Sequence, residues 1–423
     1  MKLKRVRLGD VFSIKQGFAF KSSNYVNRSN YRLVTLGNFA NDNSFKFNND
    51  KAKYYKGNFP NDVELKEMDL ILPLTEQVEG LLGNSAFVPN VNNKHFNFVL
   101  NQRVGKIICN DKKIDKKFLH YLLSTNLIKD QMEAFAHGTR QRNISPEEIY
   151  KIEAYIPTIS VQSKIGNFLY SIERKIDNNN KICKELESMA KTIYDYWFLQ
   201  FEFPDKDGKP YKSNGGKMVW NDQLKQEIPE GWEVKKLSQI ESNIITGKTP
   251  STKSKDNFGK DVPFICIGDI RRHCFIENTQ LSLSKKGAES QKNKYLQKDS
   301  LCVSCIATPG LVGFCNYISQ TNQQINSIVF DNKINKYFLY FNISEYFKNT
   351  KGTKSGNTFA NMNKQEFSSI SVIYNEYIVK KFYDRVDSYF EKIKLCEKEN
   401  QQLKSLRDFL LPLLMNGQVK IKG

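Results

Sequence analysis

Arg140, Gln141, Arg142 and Asn143 set guanidinium forks beside amide side chains in one short polar stretch. Arginine pairs bidentately with the edge of guanine, and Asn or Gln with that of adenine. Lys351, Lys354 and Asn357 occupy an equivalent place later in the chain. Two glycine-centred turns carry a second kind of cluster, Lys15-Gln16-Gly17 and Gly247-Lys248-Thr249, and Arg271, Arg272 and His273 make a third basic group. Each cluster also reads as ordinary solvated basic surface. Even real contacts of this kind go mostly to phosphate, which positions without specifying. Gln102 and Gln323, in paired Asn-Gln dipeptides, read either as further contacts or as braces of the scaffold.

Catalytic machinery is harder to find. A phosphate-cradling G-x-x-x-x-G-K-[ST] loop is missing, since Ser242 stands where Gly247-Lys248-Thr249 would need its first glycine. No Asn/Asp-Pro-Pro-aromatic motif is present to hold a flipped adenine. Pro204-Asp205 followed by Glu233-Val234-Lys235 fits a loose nuclease pattern of Mg²⁺-binding carboxylates, a permissive match in a Lys/Glu-rich chain. Cys302, Cys305 and Cys315, with His273-Cys274 upstream, resemble zinc ligands. The internal repeat described below sets Ile71 and Leu74 at or beside the matching positions, which favours core strand cysteines.

Lys and Arg number 64 against 45 Asp and Glu, for a net charge of +19 and a pI near 9.3. Such a field concentrates polyanions, so nucleic acid leads the candidate partners and an anionic membrane surface comes second. The opening MKLKRVRLGDVFSIKQGF lacks the apolar core of a secretory signal, and no run reaches the roughly 20 apolar residues of a membrane span. Eight scattered cysteines suit reduced thiols. The expectation is a cytoplasmic protein with no membrane partner.

These clusters recur because the chain is a repeat of two. KLKRVRLGDVFSIKQG answers EVKKLSQIESNIITG, LVTLGNF answers PFICIGDI, and EMDLILPLTEQVEGLLGNSAFV answers KDSLCVSCIATPGLVGFC. LNQRVGKII answers TNQQINSIV, DKKFLHYLLS answers NKYFLYFNIS, and AHGTRQRNIS answers TKGTKSGNTFANMN, in unbroken order. Within each unit, short β-branched and aromatic runs broken by Gly, Asn and Pro predict a mixed α/β domain.

Each unit closes on a heptad-like segment. Ile165, Leu169, Ile172, Ile176, Asn179, Cys183, Leu186, Ala190, Ile193 and Trp197 keep a 4-3 alternation without a slip. Phe382, Val386, Tyr389, Ile393, Cys396, Asn400, Leu403, Arg407, Leu410 and Leu414 repeat it 217 residues later. A lone striped helix is unstable, so the two are expected to pair as an antiparallel coiled coil about a pseudo-twofold axis. Asn179 and Asn400, offset by one seam position, read as register markers or as tolerated edge residues. Trp197, Phe198, Phe409, Leu410, Leu413 and Leu414 suggest an exposed partner-binding patch.

The stretch from Phe201 to Val234, rich in Gly, Pro, Lys and Asn, reads as an irregular connector. With its flanks, WFLQFEFPDKDGKPYKSNGGKMVWNDQLKQEIPEGWEVKKL resembles the central region of type I restriction enzyme specificity subunits. IPTISVQSKIGNFLYSIERKI and LRDFLLPLLMNGQVKI are similar to their other conserved segments. The resemblance covers the whole chain. It implies an α+β protein with two mixed α/β target-recognition domains, at 1–156 and 233–374, separated by conserved helices at 157–200 and 375–423 and a connector at 201–232. It also implies a non-catalytic reader of an asymmetric bipartite site in double-stranded DNA. Two adenine methyltransferase subunits and two motor-nuclease subunits would be its partners, and S-adenosylmethionine, ATP and Mg²⁺ would belong to them, with no cofactor in this chain. A self-contained type II-like endonuclease and a coiled-coil scaffold without specific readout are the competing readings.

Overall fold

The computed structural model describes residues 2–76, 80–91, 95–138, 141–271, 274–353, 361–419 and 421, with backbone alone for 351–353. Arg140, Arg272, His273, Lys354 and Asn357 lie outside the described residues. The chain forms two compact units, Met1–Arg174 with Leu403–Gly423, and Lys175–Gln402.

In the first unit a four-stranded sheet runs in the order Phe12–Gln16, Val104–Cys109, Leu70–Pro73, Ala86–Phe87. Leu70, Ile71 and Leu72 are all fully buried. Leu70 and Leu72 meet Leu8, Phe118 and Leu122, whereas Ile71 joins Val34, Phe98 and Val99. A strand covered on both faces loses polar alternation, which is why this run is apolar throughout. A second sheet sets Tyr31–Val34 parallel to Asn97–Leu100.

The second unit repeats this construction. Its five-stranded sheet runs Ile244–Thr246, Ile325–Ile328, Leu301–Ser304, Val312–Cys315, Phe275–Ile276, and Phe264 and Ile265 lie parallel to Gln320 and Thr321. Each unit has a closing antiparallel ladder, Lys4 opposite Ile156 and Glu233 opposite Tyr374. Each has a short helix with a reciprocal cap, Ser145 with Glu148 and Asn363 with Glu366. Even the left-handed residues before the matching strands agree, Met68 (φ 64°) and Asp299 (φ 67°). The repeat read in the letters is a repeat of backbone.

Cys302, Cys305, Cys315 and Cys274 are buried in this second core. Donation of its proton towards Cys315, together with burial, pushes the Cys302 thiol well above its ordinary range. Among the described residues no group of three or more His, Cys, Asp or Glu could hold a metal ion. Asp205 of the loose nuclease pattern instead closes its own turn, accepting the Asp207 and Lys209 N–H groups at 2.8 and 2.9 Å. Glu233 is ion-paired with Lys235 at 2.8 Å.

Two long helices, Ile159–Tyr194 (the central helix) and Glu376–Met415 (the C-terminal helix), run antiparallel within each unit. In the first, Ile165 and Leu169 share a core with Leu410 and Leu414, and Glu173 meets Arg407 at 3.7 Å. In the second, Asn179 Nδ2 donates to Asn400 Oδ1 at 3.0 Å, and the Trp197 and Phe382 rings are 6.1 Å apart. Asn179 and Asn400 are 1% and 6% exposed, so they are seam residues and not edge residues.

The seam departs from the 4-3 pattern near Trp197. Tyr194 and Phe198 are buried while Ile193 and Trp197 stay half-buried, and Phe390 is buried where Tyr389 was expected. The helix widens into a π turn at Asp195–Leu199, and Tyr194 and Phe198 insert among Phe338 and Phe382. A helix that packs against a domain as well as a partner helix needs a broader apolar face than a two-helix seam. For the same reason Phe198 and Leu414 belong to the cores and not to an exposed patch, whereas Phe409 is exposed.

The connector is also more structured than its composition predicts. Phe201, Phe203, Ile228 and Trp232 are buried in the second core, and Met218–Asn221 pairs with Gln226–Pro229 as a hairpin. Gly and Pro supply turns around these anchors.

One buried group carries a pH prediction. His120 is 1% exposed, its Nδ1 lies 2.8 Å from Ser85 Oγ, and burial followed by the Arg407 charge push its pKa down to about 3. The folded value lies below the unfolded value of about 6.5, so stability is full above pH 6.5 and is lost as pH falls towards 3. Between pH 7 and pH 5 this group should cost the first unit about 2 kcal/mol. Urea unfolding at both pH values should show that loss in the wild type and a smaller one in His120→Gln. Equal losses would refute the assignment.

Candidate nucleic-acid interface

A chain of backbone hydrogen bonds aligns four segments of the first unit. The Gly17 N–H donates to the Val104 carbonyl at 3.1 Å and the Phe18 N–H to Leu100 at 2.9 Å. Leu74 donates to Arg103 at 2.9 Å, and Ile144 donates to Leu74 at 3.1 Å. Residues 16–18, 101–103, 74–76 and 141–143 therefore form one row across the strand ends of the sheet. The second unit repeats the series: Gly247 to Ile325 (3.0 Å), Lys248 to Thr321 (2.9 Å), Cys305 to Gln324 (2.9 Å) and Met362 to Cys305 (3.2 Å). Two clusters far apart in sequence, the glycine-centred segment and the stretch before the long helix, are thus neighbours in each unit.

Gly17 and Gly247 are not turn tips. Each lies where an extended chain crosses the Asn-Gln segment so closely that a β-carbon would overlap the Asn101 or Asn322 carbonyl. Glycine is the residue that permits such an approach.

The side chains along the row differ in freedom. Gln16, Gln102, Arg103 and Asn143 are exposed in the first unit, as are Lys248 and Gln323 in the second. Arg103 went unnoticed in the sequence because it stands alone; its place beside the Asn-Gln pair was the available signal. Lys15 is ion-paired with Asp62. Gln141 is half-buried. Arg142 Nε donates to Glu76 at 2.7 Å; that carboxylate is 4% exposed and also accepts the Leu81 N–H at 2.9 Å. Asn143 Oδ1 accepts from the Thr75 hydroxyl at 2.8 Å, and Thr249 donates to Gln323 at 2.6 Å. Lys351 belongs to the last turn of the helix Asn335–Thr353 and not to a loop. Arg271 is exposed after the short helix Ile267–Ile270. The nearby Cys274 and Phe275 N–H groups donate to Glu397 of the C-terminal helix at 3.0 and 2.7 Å.

The excess positive charge follows the repeat. Residues 1–156 hold 24 Lys and Arg against 16 Asp and Glu, and residues 233–374 hold 19 against 11. Each domain alone is therefore basic enough to attract a phosphate backbone. Among the described residues no helix is long and apolar enough to cross a membrane.

The sequence profile described as the type I restriction modification DNA specificity domain matches residues 2–188 and again residues 229–405. The chain belongs to that family. The two matches to the specificity domain coincide with the two copies of the row. The chain is 32% identical to the type I restriction enzyme HindI specificity subunit of Haemophilus influenzae, over 78% of this chain and 83% of that one. It is 25% identical to the MjaIX specificity subunit of Methanocaldococcus jannaschii, over 76% and 73%. The S subunit of a type I restriction–modification system from M. genitalium shares the fold, with a TM-score of 0.60 at 15% identity over 98% of this chain and 96% of that one. This specificity-family chain carries the DNA sequence specificity of a type I restriction–modification system.

Proposed function

We propose that each unit reads one half of an asymmetric, gapped target in double-stranded DNA, with the row at the strand ends as its contact surface. The doubled row, presented on two basic domains, is the observation that carries this reading. Two domains of one chain meet two segments of a duplex as the halves of a dimeric reader meet half-sites. Gln16, Gln102, Arg103 and Asn143 in one unit, and Lys248, Thr249 and Gln323 in the other, would be the residues that touch it. Arg271, and Arg140, Arg272, Lys351, Lys354 and Asn357 by their place in the repeat, would add phosphate contacts.

The paired helices set the gap and dock two adenine methyltransferase subunits, joined for restriction by two motor-nuclease subunits. Exposed apolar side chains support a docking role: Met189 and Leu406, 217 residues apart in the repeat, are 50% and 43% exposed. The chain itself is non-catalytic and cytoplasmic in this reading. S-adenosylmethionine, ATP and Mg²⁺ act in the partners.

Co-expression with the neighbouring methyltransferase, followed by mapping of N6-methyladenine, tests the proposal. The expected outcome is methylation at one asymmetric, gapped motif, of which replacing residues 1–156 changes one half only. Methylation without a motif, or at a short continuous site, would overturn it.

A further inference from the structure

The two middle layers of the helix pair are symmetry mates with different chemistry. Asn179 and Asn400 form one layer, in which Asn179 Nδ2 donates to Asn400 Oδ1 (3.0 Å) and to Glu399 (2.7 Å), and Asn400 Nδ2 donates to Asn180 Oδ1 (2.9 Å). One seam step further along, four residues on in the central helix and four back in the C-terminal helix, the register set by the Asn179–Asn400 bond puts Cys183 opposite Cys396. Cys183 Sγ donates to the Ile393 carbonyl at 3.8 Å, on the turn of the C-terminal helix that carries Cys396. The repeat interval of 217 residues makes Asn179 the counterpart of Cys396, and Cys183 the counterpart of Asn400. Faithful copies would have given two identical layers, each with one amide facing one thiol. This chain has sorted them into an amide layer and a thiol layer.

The sorting discriminates between partners. If the central helix paired with the central helix of a second copy, each would take the place of its repeat counterpart. Asn179 would face Cys183 of the other copy, and Cys183 its Asn179. The C-terminal helices would face each other the same way, Cys396 against Asn400. A thiol is a weak donor and a weak acceptor, so every buried amide would lose its complement. Within one chain both layers are matched. We infer that the Asn179–Asn400 and Cys183–Cys396 layers form a pairing code, which selects the central helix with the C-terminal helix of its own chain over like-with-like pairing between two copies. Polar seam residues serve elsewhere to fix register and partner at some cost in stability; here the choice rests on which two layers hold which group.

The code can be rewritten on the full chain without changing its composition. Cys396→Asn with Asn400→Cys mismatches both layers within the chain, leaving self-pairing no better and no worse matched than pairing between copies. Adding Asn179→Cys with Cys183→Asn restores one amide layer and one thiol layer, with their positions exchanged. At equal concentration, mass photometry should find the dimer-to-monomer equilibrium of the double variant raised roughly tenfold or more over wild type. Its thermal midpoint should fall, and the quadruple variant should recover both values. A double variant that matches wild type would overturn the inference. So would a double variant that loses midpoint but stays as monomeric, or a quadruple variant no better than the double, since either reports local packing and not partner choice.

Discussion

Alanine at Gly247 should destabilise the second unit by about 3 kcal/mol, because a backbone and not a yielding side chain blocks the added methyl. A β-carbon there would overlap the Asn322 carbonyl, the Thr321 carbonyl and the Thr321 hydroxyl. To escape, the chain must move away from residues 321–325, which weakens the bond from Gly247 to Ile325 and that from Lys248 to Thr321. Gly231→Ala is the control. It adopts φ +80° with nothing within 4 Å of an added β-carbon, so it should cost only the left-handed conformation, about 1 kcal/mol. Urea unfolding of the two variants measures the difference, and equal losses would remove the close-approach argument. Gly247→Ala should also displace Lys248 and Thr249 from the row. If residues 233–374 read one half-site, as proposed, methylation maps should then lose discrimination in that half and keep it in the other.

The repeat was legible in the sequence because both copies kept their strand-forming runs and their glycines in the same order. The helix pairing was legible because 4-3 spacing reports a neighbouring helix directly. What spacing cannot report is a second neighbour. Tyr194 was missed, and Phe198 was assigned to an exposed patch, because Phe338 and Phe341, at least 140 residues later in the chain, claim that side of the central helix. The connector was misread because its glycines and prolines outnumber the Phe201, Phe203 and Trp232 anchors that bury it. At the candidate interface, sequence reasoning found the glycine-centred segments and the polar stretches but treated them as separate sites. Only long-range hydrogen bonds, such as Ile144 to Leu74, bring them into one row.

Arg142 shows where composition misleads most, and its replacement by alanine separates two roles. Read as sequence, a guanidinium between Gln141 and Asn143 invites a guanine. In the fold it answers Glu76, a strand partner 66 residues away that no local pattern reveals. Glu76 is buried at 4% exposure, and its carboxylate also accepts the Leu81 N–H. Removing one member of a buried pair costs about 3–5 kcal/mol, because the other charge stays buried without its counter-ion. The Arg142 side chain is 31% exposed, so solvent reduces that figure, and Arg142→Ala should lower the stability of the first unit by about 2–3 kcal/mol. Glu76→Gln with Arg142→Met, which removes both charges, should recover most of that loss. The methylated motif should stay unchanged in either variant wherever enough folded protein survives to be assayed. A base-reading arginine would behave the opposite way: its loss would relax one position of the half-site by about 10- to 100-fold and leave unfolding untouched.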